Sequence, residues 1–229
     1  MTSLKNTFLC LCLFTITFAF SQQEKIVPAE KVNLSALIKN VQIIKKDKET
    51  FKIIWWIPTE YWKLSLENSS MANSSYADEM IATFEAFTLV CIINTEMLPF
   101  GGFEARKTSK IQIKDNNGNT YNTVDESLIP EEYGAVLSMM KPMMADMFGQ
   151  FGEQMEFHVF PKKAKDGSLI ANPLSRGKFT VILNTEEFDF PLPLSSMVEK
   201  KICPKDKKLY NGTWNYCPTD GKKLKLQTK

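Results

Sequence analysis

The sequence has few of the residues that most catalytic sites need. Its 229 residues include one histidine, His158, and five cysteines, two of them within the first twelve positions. It contains no G-x-S-x-G, H-E-x-x-H, G-x-x-x-x-G-K or G-x-G-x-x-G motif. With one imidazole, most catalytic triads and histidine-rich metal sites lack their parts. The sequence therefore favours a non-enzymatic binding or interaction module over an enzyme.

Long hydrophobic runs are also missing after residue 20, although a bilayer span needs about 20 apolar residues. Residues 7–20 form a shorter apolar run behind Lys5, and Ala19-Phe20-Ser21 has the small-x-small pattern of a cleavage site. This layout is typical of a secretory signal peptide covering residues 1–21. We therefore expect an exported protein, periplasmic or extracellular, with no membrane span once the signal is removed, and export permits disulfides.

Charge divides the mature chain into two parts. Residues 22–199, the body, carry 18 Lys and Arg against 24 Asp and Glu, whereas residues 200–229, the tail, carry nine Lys against two Asp. A solvated basic tail is the preferred interpretation; contact of the tail with the acidic body, an anionic lipid surface or a polyanion is the alternative. The lysines of the tail are not interleaved with a row of aromatic residues, so no nucleic-acid partner is expected.

The body is predicted to be mostly β with helical insertions. Strand patterns occupy residues 51–57, 86–95, 155–161, 177–184 and 186–194, and residues 110–123 form a hairpin at Asn117-Gly118. Helices are predicted near 76–85, with Ser75 at its start, and near 130–149, where Pro142 should kink or split the helix. We expect an antiparallel β-sandwich of immunoglobulin-like style; an α+β domain with helices on one face of the sheet is the alternative.

Two apolar stretches are candidate partner surfaces. Trp55, Trp56 and Trp62 lie within WWIPTEYW, where exposed rings would stack on a glycan and buried rings would belong to the core. Met139, Met143 and Met147 lie within MMKPMMADMF, and methionine is common both in irregular cores and at adaptable binding surfaces. The expected partner is a protein or a glycan of the cell envelope. Thioethers also bind Cu(I), so a periplasmic metal-handling protein is one alternative.

Three further patterns bear on catalysis or metal binding. Glu186, Glu187 and Asp189 lie on one predicted strand and would serve a glycan-directed hydrolase. Cys91 and His158 would form a thiol–imidazole pair if they met. Residues 115–126 imitate a calcium loop but lack its central glycine. A solvated strand face, a buried free cysteine and a hairpin turn explain the same residues without a site, and we favour those interpretations.

The tail contains a near-repeat: CPKDKKL begins at Cys203 and CPTDGKKL at Cys217. Between the copies, Asn211-Gly212 predicts a type I′ hairpin that pairs Leu209 with Trp214. The two Cys-Pro-x-Asp copies resemble the paired knuckles of zinc ribbons and rubredoxins, which read Cys-Pro-x-Cys-Gly. The resemblance covers about residues 201–225 and implies a small zinc-ribbon-like hairpin. The body resembles exported bacterial proteins that carry no assigned activity.

Aspartate replaces the second cysteine of each knuckle, which leaves three arrangements open. A Cys203–Cys217 disulfide is preferred, because an exported tail of this size has little core of its own. Zinc held by Cys203, Asp206, Cys217 and Asp220 is the second, since carboxylates can be zinc ligands. A metal-free relic packed on Trp214 and Tyr216 is the third. Each arrangement is structural, so no catalytic residue and no cofactor other than zinc is expected.

Overall fold

The structure is a computed structural model that describes residues 24–67, 69, 72 and 74–227, so the predicted signal peptide lies outside the described residues. Within them, no helix has both the length and the apolar character needed to cross a membrane. The helices and strands are, in chain order, α1 (Leu34–Val41), β1 (Gln42–Lys46), β2 (Thr50–Ile57), α2 (Thr59–Glu67), α3 (Ser75–Glu85), β3 (Phe87–Met97), β4 (Phe103–Ala105), β5 (Ile111–Lys114), β6 (Thr120–Asn122), α4 (Glu131–Asp146), β7 (Met155–Pro161), β8 (Gly177–Leu183), β9 (Glu186–Leu192), β10 (Lys201–Ile202), β11 (Leu209–Tyr210) and β12 (Lys225–Leu226).

These strands form three antiparallel sheets. The first has the order β1-β2-β3, and both β4 and β7 pair with β3 along its other edge. The second has the order β6-β5-β8-β9, and a small third sheet, β11-β10-β12, belongs to the tail. Strands make up 34% of the residues and helices 30%, so the predicted class, mostly antiparallel β with helices, is confirmed.

Strand β2 is the centre of the body because both of its faces are covered. Trp56 points to the second sheet, with its ring centroid 4.8 Å from that of Phe179. Trp55 points the opposite way and meets Tyr61 of α2 at 5.1 Å and Phe148 after α4 at 5.8 Å. A strand buried on both sides must be apolar along its length, which explains the run IIWWI. The first sheet therefore lies between the second sheet and a layer of helices.

The helical layer is held together by aromatic contacts. Trp62 of α2 stacks on Phe84 of α3 with centroids 4.0 Å apart and planes within 7°. Tyr133 of α4 closes the group, 5.9 Å from Phe84 and 4.9 Å from Phe87. These four rings join three helices to the first sheet, and offset or edge contacts of this kind are favourable beyond the area that they bury.

Helix ends differ in detail from the sequence patterns. The N-cap of α3 is Ser74, whose hydroxyl accepts from the N–H of Ala77 at 3.1 Å, one residue before the predicted Ser75. Helix α4 continues through Pro142, so of the two predicted outcomes, a kink or a split, the split does not occur. Buried residues on both sides of the proline, Tyr133 and Met144, hold the two halves against the body. Helices α1 and α2 were not predicted.

The predicted hairpin at Asn211-Gly212 is also wrong. Leu209 pairs with Ile202 of β10 and not with Trp214. The residues after β11 make a turn, with the N–H of Trp214 donating to the carbonyl of Asn211 at 3.1 Å. A Cβ atom on Gly212 would lie 2.1 Å from the carbonyl oxygen of Glu199. Glycine is needed here for this close approach between the tail and the end of the body.

The tail contacts the N-terminal segment, residues 24–32, through residues 195–200, which we call the linker. The N–H of Val27 donates to the carbonyl of Met197 at 2.9 Å, and the N–H of Glu199 donates to the carbonyl of Lys25 at 2.7 Å. The Lys25 ammonium also lies 2.8 Å from the Glu199 carboxylate. Lys201 is fully buried and donates to the carbonyl of Trp214 at 3.0 Å. The N-terminal segment, the linker and the tail therefore form one continuous packed region.

Candidate functional site

The two Cys-Pro-x-Asp copies fold into two knuckles with the same hydrogen bonds. In each, the cysteine N–H donates to the carbonyl five residues ahead, and the cysteine carbonyl accepts from the N–H four residues ahead, at 2.8–3.0 Å. Each aspartate Oδ1 accepts from the N–H two residues on, at 2.9 Å. The residue directly after each aspartate has a positive φ, 60° at Lys207 and 68° at Gly221. The sequence repeat is thus a structural repeat.

The knuckles bring their side chains together across the tail. One donor atom each from Cys203, Cys217 and Asp220 lies within 4.8 Å of the other two. The Cys203 thiol donates to Oδ2 of Asp220 at 3.3 Å, and the Cys217 thiol lies 4.0 Å from Oδ2 of Asp206. Each thiol therefore faces the carboxylate of the other knuckle. We call these four residues the cysteine–aspartate cluster.

The preferred sequence prediction, a Cys203–Cys217 disulfide, is not formed in this structure. Both cysteines are free, and so is Cys91. The physical reason lies in the neighbours of the sulfur atoms: Cys203 Sγ is directed at the Asp220 carboxylate, and Cys217 Sγ lies 3.1 Å from the hydroxyl of Thr219. Two buried thiols held among oxygen atoms form a donor set for a cation.

Hydrogen bonds keep the two carboxyl groups ionised. The Tyr210 hydroxyl donates to Oδ2 of Asp206 at 2.5 Å, which lowers the pKa of Asp206 and raises the pKa of Tyr210 to about 12. The N–H of Lys222 is the main cause of the lowered pKa of Asp220. Both aspartates therefore remain negatively charged acceptors through the neutral pH range.

The two thiols differ in acidity. Burial is the main cause of the raised pKa of Cys203. Burial also acts to raise the pKa of Cys217, but hydrogen bonds from the hydroxyl and N–H of Thr219 outweigh it, so that pKa is lowered. The cluster thus contains one thiol that loses its proton more easily than the other.

The donor set fits a zinc ion. Tetrahedral zinc, with Zn–S near 2.3 Å and Zn–O near 2.0–2.2 Å, places its donors about 3.5–3.8 Å apart. The ligand atoms of Cys203, Cys217 and Asp220 lie within 4.8 Å of one another, so they would have to move closer together, and Asp206 would have to join them. The carboxylates already have outer hydrogen bonds from Tyr210, Lys208 and Lys222, and such second-shell contacts orient metal ligands. Two thiolates and two carboxylates would form a strongly anionic set, and the charges of Lys208 and Lys205 help to lower the pKa of Asp206 and of Asp220.

The tryptophan surface predicted from WWIPTEYW is wrong. The exposed fractions of Trp55, Trp56 and Trp62 are 0%, 1% and 1%. All three rings lie in the core, because β2 is covered on both faces and Trp62 is stacked inside the helical layer. None of them is available to stack on a glycan.

The methionines of α4 divide between core and surface. Met144 is buried, whereas Met139, Met143 and Met147 are 45%, 58% and 62% exposed. Their spacing of four residues places the three on one side of the helix. The Tyr76 hydroxyl contacts the sulfur of Met139 at 3.4 Å and extends this side onto α3. We call Met139, Met143, Met147 and Tyr76 the methionine face.

The carboxylates proposed for a hydrolase are engaged in ion pairs. Glu186 pairs with Lys45 and Lys52, and the two bonds are the main cause of its lowered pKa. Burial acts to raise the pKa of Asp189, but hydrogen bonds from Lys178 and Thr180 lower it. A general acid needs a raised pKa, so this strand gives the hydrolase alternative no support.

The remaining candidate residues from the sequence, Cys91, His158 and Asp115, have structural roles in the fold. In the pairing of β3 with β7, Cys91 is opposite Phe157 and His158 is opposite Val90, so the thiol and the imidazole lie on opposite faces of the sheet. Burial raises the pKa of Cys91 strongly. The Asp115 carboxylate accepts from two N–H groups of its hairpin turn and from the Tyr121 hydroxyl. These contacts explain the residues that suggested a nucleophile and a calcium loop.

Comparison of the chain with protein-family models, curated proteins and solved structures finds no significant match in any of the three. The candidate site is therefore chosen by its own geometry. The cysteine–aspartate cluster is the strongest candidate, because it gathers ligand types of known metal chemistry from two separate turns.

Proposed function

We propose that this protein is an exported, non-enzymatic binding module of the cell envelope whose basic tail is held by a zinc ion. The convergence of Cys203, Cys217 and Asp220, with Asp206 beside them, is the observation that supports the zinc site. We further propose that the two larger sheets form a sandwich of immunoglobulin-like style, which the contact of Trp56 with Phe179 supports.

The role of the metal in this proposal is structural. The core of the tail is small: its buried cluster consists of Cys203, Cys217 and Leu224, with Tyr210 packed against it. A module of this size gains much of its folding free energy from a metal that binds only the folded form. Zinc would join the two knuckles and fix the tail against the linker. The side chains of the cluster would fill all four zinc positions and leave none open for a substrate.

Metal affinity of single-ligand variants tests this site. Zinc should be titrated into the metal-free full mature chain in competition with a coloured chelator. We expect Asp220→Asn and Asp206→Asn each to weaken zinc binding at least about tenfold, because a neutral amide is a poor zinc ligand. Asp166→Asn, which makes the same change in a surface turn, is the matched control and should bind as the wild type does. Equal affinities for all four proteins would place the metal elsewhere.

The methionine face is the proposed docking surface of the binding module. The three methionines present flexible thioether side chains beside the Tyr76 ring, and such surfaces adapt to a partner. A protein partner is favoured over a glycan, because the tryptophan rings predicted to stack on sugars are buried. The binding energy would then come from apolar burial at the centre of the surface.

Site-specific photo-crosslinking tests the docking surface. A photoreactive phenylalanine analogue should replace Met143 in one variant and Lys165, an exposed residue outside the methionine face, in the control. We expect a discrete adduct from position 143 in intact cells and none of that mass from position 165. The same adducts from both positions, or none from position 143, would contradict the proposal.

A further inference from the structure

A cleft of about 1040 Å³ lies where the tail meets the body. One side is lined by the N-terminal segment and α1, and the other by the linker and by residues 209–211 of the tail. Clefts of this size accommodate small-molecule ligands. The sequence offers no signal for it, because its residues come from two parts of the chain, residues 25–40 and residues 195–227, that are far apart in the sequence.

The cleft has an excess of positive charge. Four lysines line it, together with one acidic residue, Glu199. Glu199 is already paired with Lys25 at 2.8 Å. The other three, Lys31, Lys39 and Lys200, form no ion pair within the described part of the chain. Lys31 and Lys39 lie near the N-terminus and Lys200 at the start of the tail, so the fold brings these three positive charges to one cleft, and they would attract an anion.

One residue that lines the cleft, Ser196, has a side-chain hydroxyl without a hydrogen-bond partner among the described residues. The side-chain oxygen of Asn40 accepts from the hydroxyl of Ser195 at 3.0 Å and from the N–H of Ser196 at 2.7 Å. The hydroxyl oxygen of Ser196 is itself buried and has no hydrogen-bond partner among the described residues. A buried hydroxyl without a partner is costly, and an anion bound beside Ser196 would accept its hydrogen bond once the atoms that cover the hydroxyl move aside.

We propose that this cleft binds a phosphate-bearing anion. The lining contains lysine and no arginine. Lysine presents a compact point charge that binds phosphate, and a doubly charged phosphate is attracted more strongly by three such charges than a singly charged carboxylate is. The phosphate belongs either to a lipid headgroup or to a free soluble compound. The lysines and Ser196 that support the inference lie outside the cysteine–aspartate cluster and the methionine face, so the inference goes beyond the proposed function.

Titration with glycerol 3-phosphate tests the soluble arm. Backbone amide shifts of the full mature chain, first with zinc added and then with a chelator, give the affinity and the residues involved. We expect shifts centred on Ser196 and Lys200, and a loss of affinity of at least tenfold in the triple variant Lys31→Gln, Lys39→Gln, Lys200→Gln. The control triple Lys110→Gln, Lys163→Gln, Lys165→Gln, with the same charge change outside the cleft, should lose less than twofold.

Sedimentation with vesicles tests the lipid arm. The phosphate belongs to a headgroup if the protein binds phosphatidylglycerol vesicles but not phosphatidylcholine vesicles, and if only the cleft triple variant loses this binding. It belongs to a free ligand if the protein binds only the soluble compound. Ser196→Ala should weaken either interaction about threefold. Absence of binding in both arms, equal losses in the two triples, or unchanged affinity in Ser196→Ala would overturn the inference.

Discussion

Tyr210 donates its hydroxyl hydrogen bond to Oδ2 of Asp206 at 2.5 Å, and the same residue lines the cleft between tail and body. Tyr210 therefore connects the cysteine–aspartate cluster, which it contacts through Asp206, with the cleft. Each is described by its own contacts, but a change in the conformation of Tyr210 would alter both.

Removing this hydroxyl should weaken the metal site without unfolding the tail. In Tyr210→Phe the ring remains and Asp206 loses a hydrogen bond that orients it. We expect zinc affinity to fall about tenfold, as is typical when a second-shell contact is lost. Tyr216→Phe, an exposed tyrosine of the same tail, is the control and should leave the affinity unchanged. Chelator competition measures both, and equal affinities of the two variants would separate Tyr210 from the metal site.

Trp56 should be among the most stabilising side chains of the body. It is buried between the two larger sheets, with Phe179 at 4.8 Å and Phe190 at 6.0 Å. We expect Trp56→Ala to lower the free energy of unfolding by about 3–5 kcal/mol, and Trp56→Phe by less. Phe100, which is fully exposed, gives the control Phe100→Ala, with a change within about 0.5 kcal/mol. Urea unfolding measures all three; a small loss in Trp56→Ala would mean that the sheets do not pack through this ring.

Removing Glu186 should cost more folding stability than removing Lys52, although the two form one ion pair. Lys52 is buried, whereas the Glu186 side chain is about one-third exposed and also bonds Lys45. Glu186→Gln leaves a buried ammonium without its counter-charge and should cost on the order of 2 kcal/mol, a value reduced by the exposure of Glu186. Lys52→Met removes the buried charge and should cost less. The opposite ranking in urea unfolding would contradict the assigned burial.

The same pair gives a pH dependence with a defined sign. The pKa of Glu186 is lower in the folded protein than its ordinary value of 4.5, chiefly because of the bonds from Lys45 and Lys52. Its contribution to stability is therefore complete above about pH 4.5 and is lost as the pH falls through the folded pKa. We expect the wild type to lose more stability between pH 5 and pH 3 than Glu186→Gln. Equal slopes would exclude this carboxylate as the cause.

Two glycines should respond oppositely to alanine. Gly134 lies in α4 with nothing within 4 Å of an added Cβ, so Gly134→Ala should raise the free energy of unfolding by about 0.5–1 kcal/mol. Gly212 would place its Cβ 2.1 Å from the carbonyl oxygen of Glu199, so Gly212→Ala should loosen the tail. Hydrogen exchange of the tail amides distinguishes them: faster exchange is expected in Gly212→Ala only.

The sequence predicts β2, β3 and β5 to β9, but it does not predict β1, β4, β10 or β12, or helices α1 and α2. Each segment predicted as a strand contains one, because β-branched and aromatic runs report a pleated, buried surface regardless of its neighbours. Helices α1 and α2 are short, and α2 begins directly after Pro58, so neither presents a long helical pattern in the sequence. Burial of Trp55 and Trp56 on opposite faces needs the second sheet and the helical layer, which no local pattern reveals.

The candidate site is predictable only in part. The Cys-Pro-x-Asp repeat identifies the four residues of the cluster, because a repeat with fixed spacing folds into equivalent turns. Asn211-Gly212 misleads, since Gly212 is required by its contact with Glu199 and not by a hairpin turn. Lys200 is separated by most of the chain from the other three lysines of the cleft, so only the fold brings it to them.

The zinc site is the central claim, and one mass measurement tests it most directly. The exported, purified protein should be weighed under native and denaturing conditions, with thiol alkylation before and after reduction. We predict one zinc ion per chain in the native mass and three reactive thiols after denaturation without reduction, from Cys91, Cys203 and Cys217. A metal-free native mass with one reactive thiol before reduction and three after it would show a Cys203–Cys217 disulfide and contradict the zinc site.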